Sequence, residues 1–143
     1  MKFRPFVLSL LCVSGLVGQG CSSLQSGKRN ALPLDSARLQ LLEATITRDE
    51  GAIQPILAPD FTWREDDAPL TETAFSFWDR QRLWSVLHDL LKQPMATKGE
   101  MRVAPRNAQS ADYAGPRLAW RKVGDEWRLA YFYAGTNPPA SQR

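Results

Sequence analysis

The chain is poor in the residues that carry most site chemistry. Of 143 residues, two are cysteines, Cys12 and Cys21, and one is a histidine, His88. One histidine and one mature cysteine supply no transition-metal ligand set. There is no glycine-rich phosphate loop and no nucleophile elbow, so nothing implies a cofactor. The longest apolar stretch, residues 6–17, is interrupted by Ser9, Ser14 and Gly15. A membrane-spanning helix needs roughly 20 apolar residues, so this stretch is too short to be one. Neither sign of charge dominates: 18 Lys and Arg face 15 Asp and Glu, interspersed along the chain. Nucleic-acid binding therefore has no electrostatic support.

What is present begins with an export signal. Lys2 and Arg4 form a short positive start, an apolar core follows, and Gly18 and Gly20 precede Cys21. This is the layout of a secretory signal over residues 1–20. If it is removed, 123 residues remain, enough for one domain. Lys2 and Arg4 leave with it, and the net charge falls from +3 to +1.

The run Leu16-Val17-Gly18-Gln19-Gly20-Cys21 resembles the lipobox of bacterial lipoproteins. It departs from that pattern at Gly18, where leucine is usual, and at Gln19. Ordinary cleavage at a small-x-small site is the competing reading. The resemblance implies that Cys21 is acylated and begins the mature chain. A lone cysteine in an exported protein is then accounted for, and the chain is anchored to a membrane rather than free. Ser22 after Cys21 resembles an outer-membrane sorting signal, which implies an outer-membrane anchor with the domain facing the periplasm. Residues 21–34 read as a polar, flexible tether closed by Pro33. Its span is at most ~45 Å when extended, so the domain lies near its membrane.

The folded part is expected over residues 35–135, with a frayed tail at 136–143. A first helix is expected over 36–48, capped by Asp35 or Ser36, with Leu39, Leu42 and Ile46 on its inner face. A short helical stretch starts at Asp49, carries Pro55 inside it and ends at Pro59. Residues 60–64 alternate as a strand with Phe61 and Trp63 on one face. Residues 76–92 read as one long helix opened by a Ser76/Asp79 capping box, with an apolar stripe of Leu83, Trp84, Leu87, Leu90 and Leu91. After Pro94 the period becomes two. Residues 100–104 alternate, 107–115 form a loop or weak strand, and 117–123 with 126–133 form a hairpin around Gly124-Asp125. A two-residue turn sets Lys122 opposite Trp127, Trp120 opposite Leu129 and Leu118 opposite Tyr131. Trp127, Tyr131 and Tyr133 then join the inner face, Phe132 lies outside, and Arg121 opposes Arg128 unfavourably.

Helices followed by an antiparallel sheet define an α+β domain with helices on one face of the sheet. The Ala58-Pro59-Asp60-Phe61-Thr62-Trp63 segment and the closing Trp120–Leu129 hairpin resemble the nuclear transport factor 2-like superfamily, in its polyketide-cyclase-like branch. The resemblance covers residues 36–134 and implies a curved sheet wrapped around helices into a cone that holds a pocket. That cone serves isomerases, cyclases, binding proteins and docking domains alike, so it does not settle function.

Three residues are weak catalytic candidates. His88 lies at the edge of the helix stripe, where the plainer reading is a half-exposed surface histidine. Asp60 is a possible pocket acid, although a carboxylate before a strand is more often a turn residue. Tyr131 is a possible oxyanion donor that also suits core packing. No paired acid–base motif accompanies them. The sequence thus favours a membrane-tethered envelope domain that binds a protein partner or a small apolar ligand. The alternative is an isomerase, cyclase or hydrolase using His88, Asp60 or Tyr131.

Overall fold

The computed structural model describes residues 33–65 and 72–135. The expected signal peptide, Cys21 and residues 136–143 lie outside the described residues, as do Asp66 and Asp67. Four helices pack on a mixed five-stranded sheet that does not close on itself, in an α+β arrangement. No helix among the described residues is long and apolar enough to cross a membrane.

Helix α1 (Leu34–Thr47) starts directly after Pro33, so Leu34 belongs to the helix rather than the tether. No side chain caps it, contrary to the expectation for Asp35 or Ser36. Its inner face is also different from the expected one. Ala37, Leu41, Ala44 and Thr45 are buried, whereas Leu39 and Ile46 are 59% and 70% exposed. Leucines occur all round this helix, so its sequence does not mark one face. The small Ala37 and Ala44 suit the side that approaches its neighbours closely. Arg48 closes α1 in the left-handed region, at φ 53°.

Asp49 caps α2 (Glu50–Ile53) by accepting the Ala52 N–H at 3.0 Å. Pro55 does not kink this helix but sits in a separate 3-10 turn (Gln54–Ile56), where its missing donor costs little. Strand β1 (Leu57–Thr62) follows at once and contains Pro59, which therefore does not end the preceding element. It is an edge strand, where a residue without an N–H is tolerated.

The expected single helix over 76–92 is two helices, α3 (Ala74–Gln81) and α4 (Trp84–Lys92). The cap of α3 is Thr73, which accepts the Ser76 N–H at 3.2 Å, so Ser76 is a donor to the cap rather than the cap itself. Arg82 breaks the run in the left-handed region, at φ 56°, and the Leu83 N–H reaches back to the Trp78 carbonyl at 2.8 Å. That six-to-one bond is a Schellman closure made without glycine. The stripe itself is as expected: Leu83, Trp84, Leu87, Leu90 and Leu91 are all buried.

The sheet order is β1-β5-β4-β3-β2, with β2 (Ala96–Lys98), β3 (Met101–Ala104), β4 (Arg117–Val123) and β5 (Glu126–Tyr133). β2 was not legible in sequence, being three residues long, and it turns into β3 through Gly99 at φ 60°. The sheet is not purely antiparallel, because β1 runs parallel to β5. Alternation along a strand reports which side is buried, not which way a non-sequential neighbour runs. Residues 107–115, expected as loop or weak strand, begin with a 3-10 turn (Arg106–Gln109) packed on β2 and β3.

The β4–β5 hairpin turns at Gly124-Asp125 with Lys122 opposite Trp127 and Trp120 opposite Leu129, as expected. Beyond that point a bulge intervenes. Ala119 pairs with Tyr131 and Leu118 with Phe132, leaving Ala130 as the extra residue on β5. The bulge changes the face of everything after it. Phe132 enters the core, while Tyr131 and Tyr133 leave it, which corrects the expectation for all three. Trp127 is only partly buried against the core.

The interior between helices and sheet is filled. Trp78 lies within 5.2–6.0 Å, centroid to centroid, of Phe61, Phe75, Trp84 and Phe132, mostly edge to face. Aromatic pairs prefer this geometry to face-to-face stacking. Leu41, Ile53, Leu87, Leu118, Trp120 and Leu129 complete the packing.

Candidate functional site

The three sequence candidates do not form one site. His88 is half-buried at the contact of α4 with α1, where its Nδ1 is 3.0 Å from Thr45 Oγ1. Thr45 is buried and also donates to the Leu42 carbonyl at 2.7 Å. This histidine joins two helices. Asp60 is exposed on β1 and forms an ion pair with Arg121, reaching across β5. Tyr131 is half-buried on the sheet face away from the helices, stacked on Tyr133 at 4.6 Å and 7°. Burial pushes the Tyr131 hydroxyl above its ordinary pKa, and Tyr133 adds to this while Arg117 opposes it. A raised pKa suits a hydroxyl that stays neutral, but no acid or base converges on it.

The outer sheet face resolves the expected Arg121–Arg128 clash. Each arginine finds its own acid: Arg121 pairs with Asp60, and Arg128 with Glu126 while also donating to the Pro55 carbonyl. Arg117 pairs with Glu65 in the same way. Each is a surface or half-buried pair, and such pairs contribute little singly.

What the sequence left unnoticed is a cleft beside β1. It encloses about 550 Å³ and is lined by Leu57, Pro59, Phe61, Trp63 and Phe75, with Glu50 and Glu72 at its rim. Phe61 near the end of β1 and Trp63 just beyond it stack their rings at 6.1 Å and 18° along the cleft. The opposite wall is the start of α3, set by the Thr73 cap. Because β1 is an edge strand, nothing in the sheet covers this side. The Phe61/Trp63 alternation was the only sequence signal. Phe75 and Glu72 join the cleft through the fold of the chain and could not be paired with it in advance.

Glu50, Gln54, Glu72 and Thr73 add polar groups to the apolar lining, so the cleft suits a largely apolar ligand that also offers hydrogen-bonding groups. Glu72 is committed to Arg80. Among the described residues no group of three or more His, Cys, Asp or Glu is placed to hold a metal ion. Compared with known proteins, the chain matches no family model, no curated protein and no solved structure.

Proposed function

We propose that the protein is a lipoprotein of the cell envelope, anchored through lipid on Cys21, whose single domain binds a small apolar ligand in the cleft beside β1. The observation that carries the ligand reading is the cleft itself: about 550 Å³ lined by Leu57, Pro59, Phe61, Trp63 and Phe75 among others, beside an edge strand that no further strand covers among the described residues. The anchor rests on the signal layout, the lipobox resemblance of residues 16–21 and the lone mature cysteine. Ser22 favours the outer membrane, with the domain facing the periplasm. A nuclear transport factor 2-like cone is the finer reading of the fold, supported by the order of helices and the closing β4–β5 hairpin. In that reading the cone's interior is filled by Trp78, Trp120 and Phe132, so the ligand site is at the sheet edge instead. Binding is preferred over catalysis because His88, Asp60 and Tyr131 are held by separate partners, whereas an enzyme needs polar groups that converge.

Two measurements test the two halves. Cys21→Ser is expected to move the protein from the membrane to the soluble fraction; retention on membranes refutes the anchor. The neutral apolar probe N-phenyl-1-naphthylamine is expected to bind with enhanced emission, and Phe61→Ser to abolish the signal in a chain that remains folded by circular dichroism. Equal emission from both proteins refutes the cleft.

A further inference from the structure

The charge around the cleft beside β1 is one-sided. Its lining carries Glu50 and Glu72, and among the described residues no Lys, Arg or His lines it. The other polar side chains there, Gln54 and Thr73, are neutral. Thr73 is occupied as the α3 cap, accepting the Ser76 N–H and donating to Ser76 Oγ. The two carboxylates are not equivalent. Glu72 is half-buried and paired with Arg80. Glu50, exposed in the first turn of α2, has no hydrogen bond or ion pair to its carboxylate among the described residues. The arginines bonded close by are already balanced: Arg80 by Glu72, Arg128 by Glu126 and Arg121 by Asp60. Arg64, next to Trp63 in sequence, lies over Phe77 and lines a separate hollow. Residues 66–71, which lead in sequence toward Glu72, include Asp66 and Asp67 and no Lys or Arg.

These facts narrow the ligand. Its body meets apolar surface from Leu57, Phe61, Trp63 and Phe75. The Trp63 indole N–H has no partner, but it is shielded from solvent and offers the ligand no donor. An anionic end finds no cation in the lining and is repelled by Glu50, more strongly in a partly desolvated site than in bulk water. The start of α3 opposes this with about half a positive charge. That does not offset the full charge of Glu50, and the Thr73 hydroxyl already takes up one of the free N–H groups. An uncharged ligand fills the walls but leaves the Glu50 carboxylate to water. A cationic end gains a charge-assisted hydrogen bond there. We infer that the cleft selects an amphiphilic cation: a compact apolar body against Phe61, Trp63 and Phe75, with an ammonium group that donates to Glu50. The inference rests on the cleft being a ligand site. Its volume of about 550 Å³ is that of an ordinary small-molecule site, so the ligand is a small amine.

Amide NMR shifts of Ala74 and Phe75, in the full-length chain held in an uncharged detergent, read the occupancy of the cleft. The probes share one body and differ in the head: adamantane-1-methylamine, adamantane-1-methanol and adamantane-1-carboxylate. Each is titrated into the native protein and into Glu50→Gln. The ratio of the two affinities cancels uptake of a probe by micelles. The amine is expected to bind the variant about three- to fivefold more weakly, the alcohol equally, and the carboxylate more tightly. High salt should weaken the amine on the native protein and leave the alcohol unaffected. Phe61→Ser should abolish the shifts from all three probes. An amine affinity that ignores both Glu50→Gln and salt overturns the inference. So does a native cleft that prefers the carboxylate to the amine, or shifts that survive Phe61→Ser in folded protein. If the amine moves neither amide while N-phenyl-1-naphthylamine still binds, this inference alone is lost. If the naphthylamine fails as well, the cleft is lost as a ligand site and the inference goes with it.

Discussion

On the helix side of the sheet, Leu118, Trp120, Leu129 and Phe132 are buried against α1, α3 and α4, and no ionisable group lies among them. On the opposite side, the same two strands present Arg117, Arg121 and Arg128, each facing a carboxylate, with Tyr131 and Tyr133 stacked between. One face is held by area removed from water, the other by charge pairs that water still reaches. The two scale differently. Burial contributes about 25 cal/mol per Å² of apolar surface, whereas an exposed ion pair contributes roughly 0–1 kcal/mol. The helix face therefore carries the stability, and the open face is the one free to be spent on recognition. The single extra residue, Ala130, decides which residues of β5 beyond it fall on each side: Phe132 on the helix side, Tyr131 and Tyr133 on the other.

The contrast is easiest to break at Phe132. Phe132→Ala is expected to cost about 3–5 kcal/mol in urea unfolding, while Tyr131→Ala, one residue away, should cost about half as much or less. Equal costs would mean that the bulge does not separate the faces. Next is the interhelical bond. Thr45→Val removes a buried hydroxyl that serves both His88 and the Leu42 carbonyl, with an expected cost of about 1–2 kcal/mol. A neutral result would leave packing and the Arg38 bonds to the Leu91 and Gln93 carbonyls to join α1 and α4. The smallest effect should come from the open face: Asp60→Asn loses an exposed pair and should cost under about 1 kcal/mol, less still in high salt.

A pH measurement sharpens the same division. Burial raises the folded-state pKa of Tyr131, so the unfolded chain gives up this proton first as pH rises. Below the unfolded value, near pH 10, the contribution is fully present. Above it, stability should fall with pH until the folded pKa is passed. Tyr131→Phe should flatten that alkaline slope. An unchanged slope would assign it to other groups.

How far the sequence went depends on how local each feature is. The hairpin near its turn, the Leu83–Leu91 stripe and the helical start at Asp49 follow from neighbours within a few residues, and they were readable. The division of 76–92 into α3 and α4 was not, because Arg82 adopts a left-handed conformation that glycine usually signals. The Ala130 bulge was invisible for a similar reason: alternation continues on both sides of it, and only pairing to β4 reveals the slip. The parallel β1 and the cleft beside it depend on chain segments far apart in sequence. Of the candidate site, Phe61 and Trp63 were legible as an alternating pair, but Phe75 and Glu72 join them only through the tertiary fold.

The contact between Thr45 and His88 fixes more than a distance. A hydroxyl has one proton, and the Leu42 carbonyl takes it at 2.7 Å, so toward the imidazole Thr45 can only accept. Nδ1 therefore carries the hydrogen of this contact. The joint between α1 and α4 thus has a direction: the imidazole donates, and the hydroxyl that receives it passes its own hydrogen on to the Leu42 carbonyl.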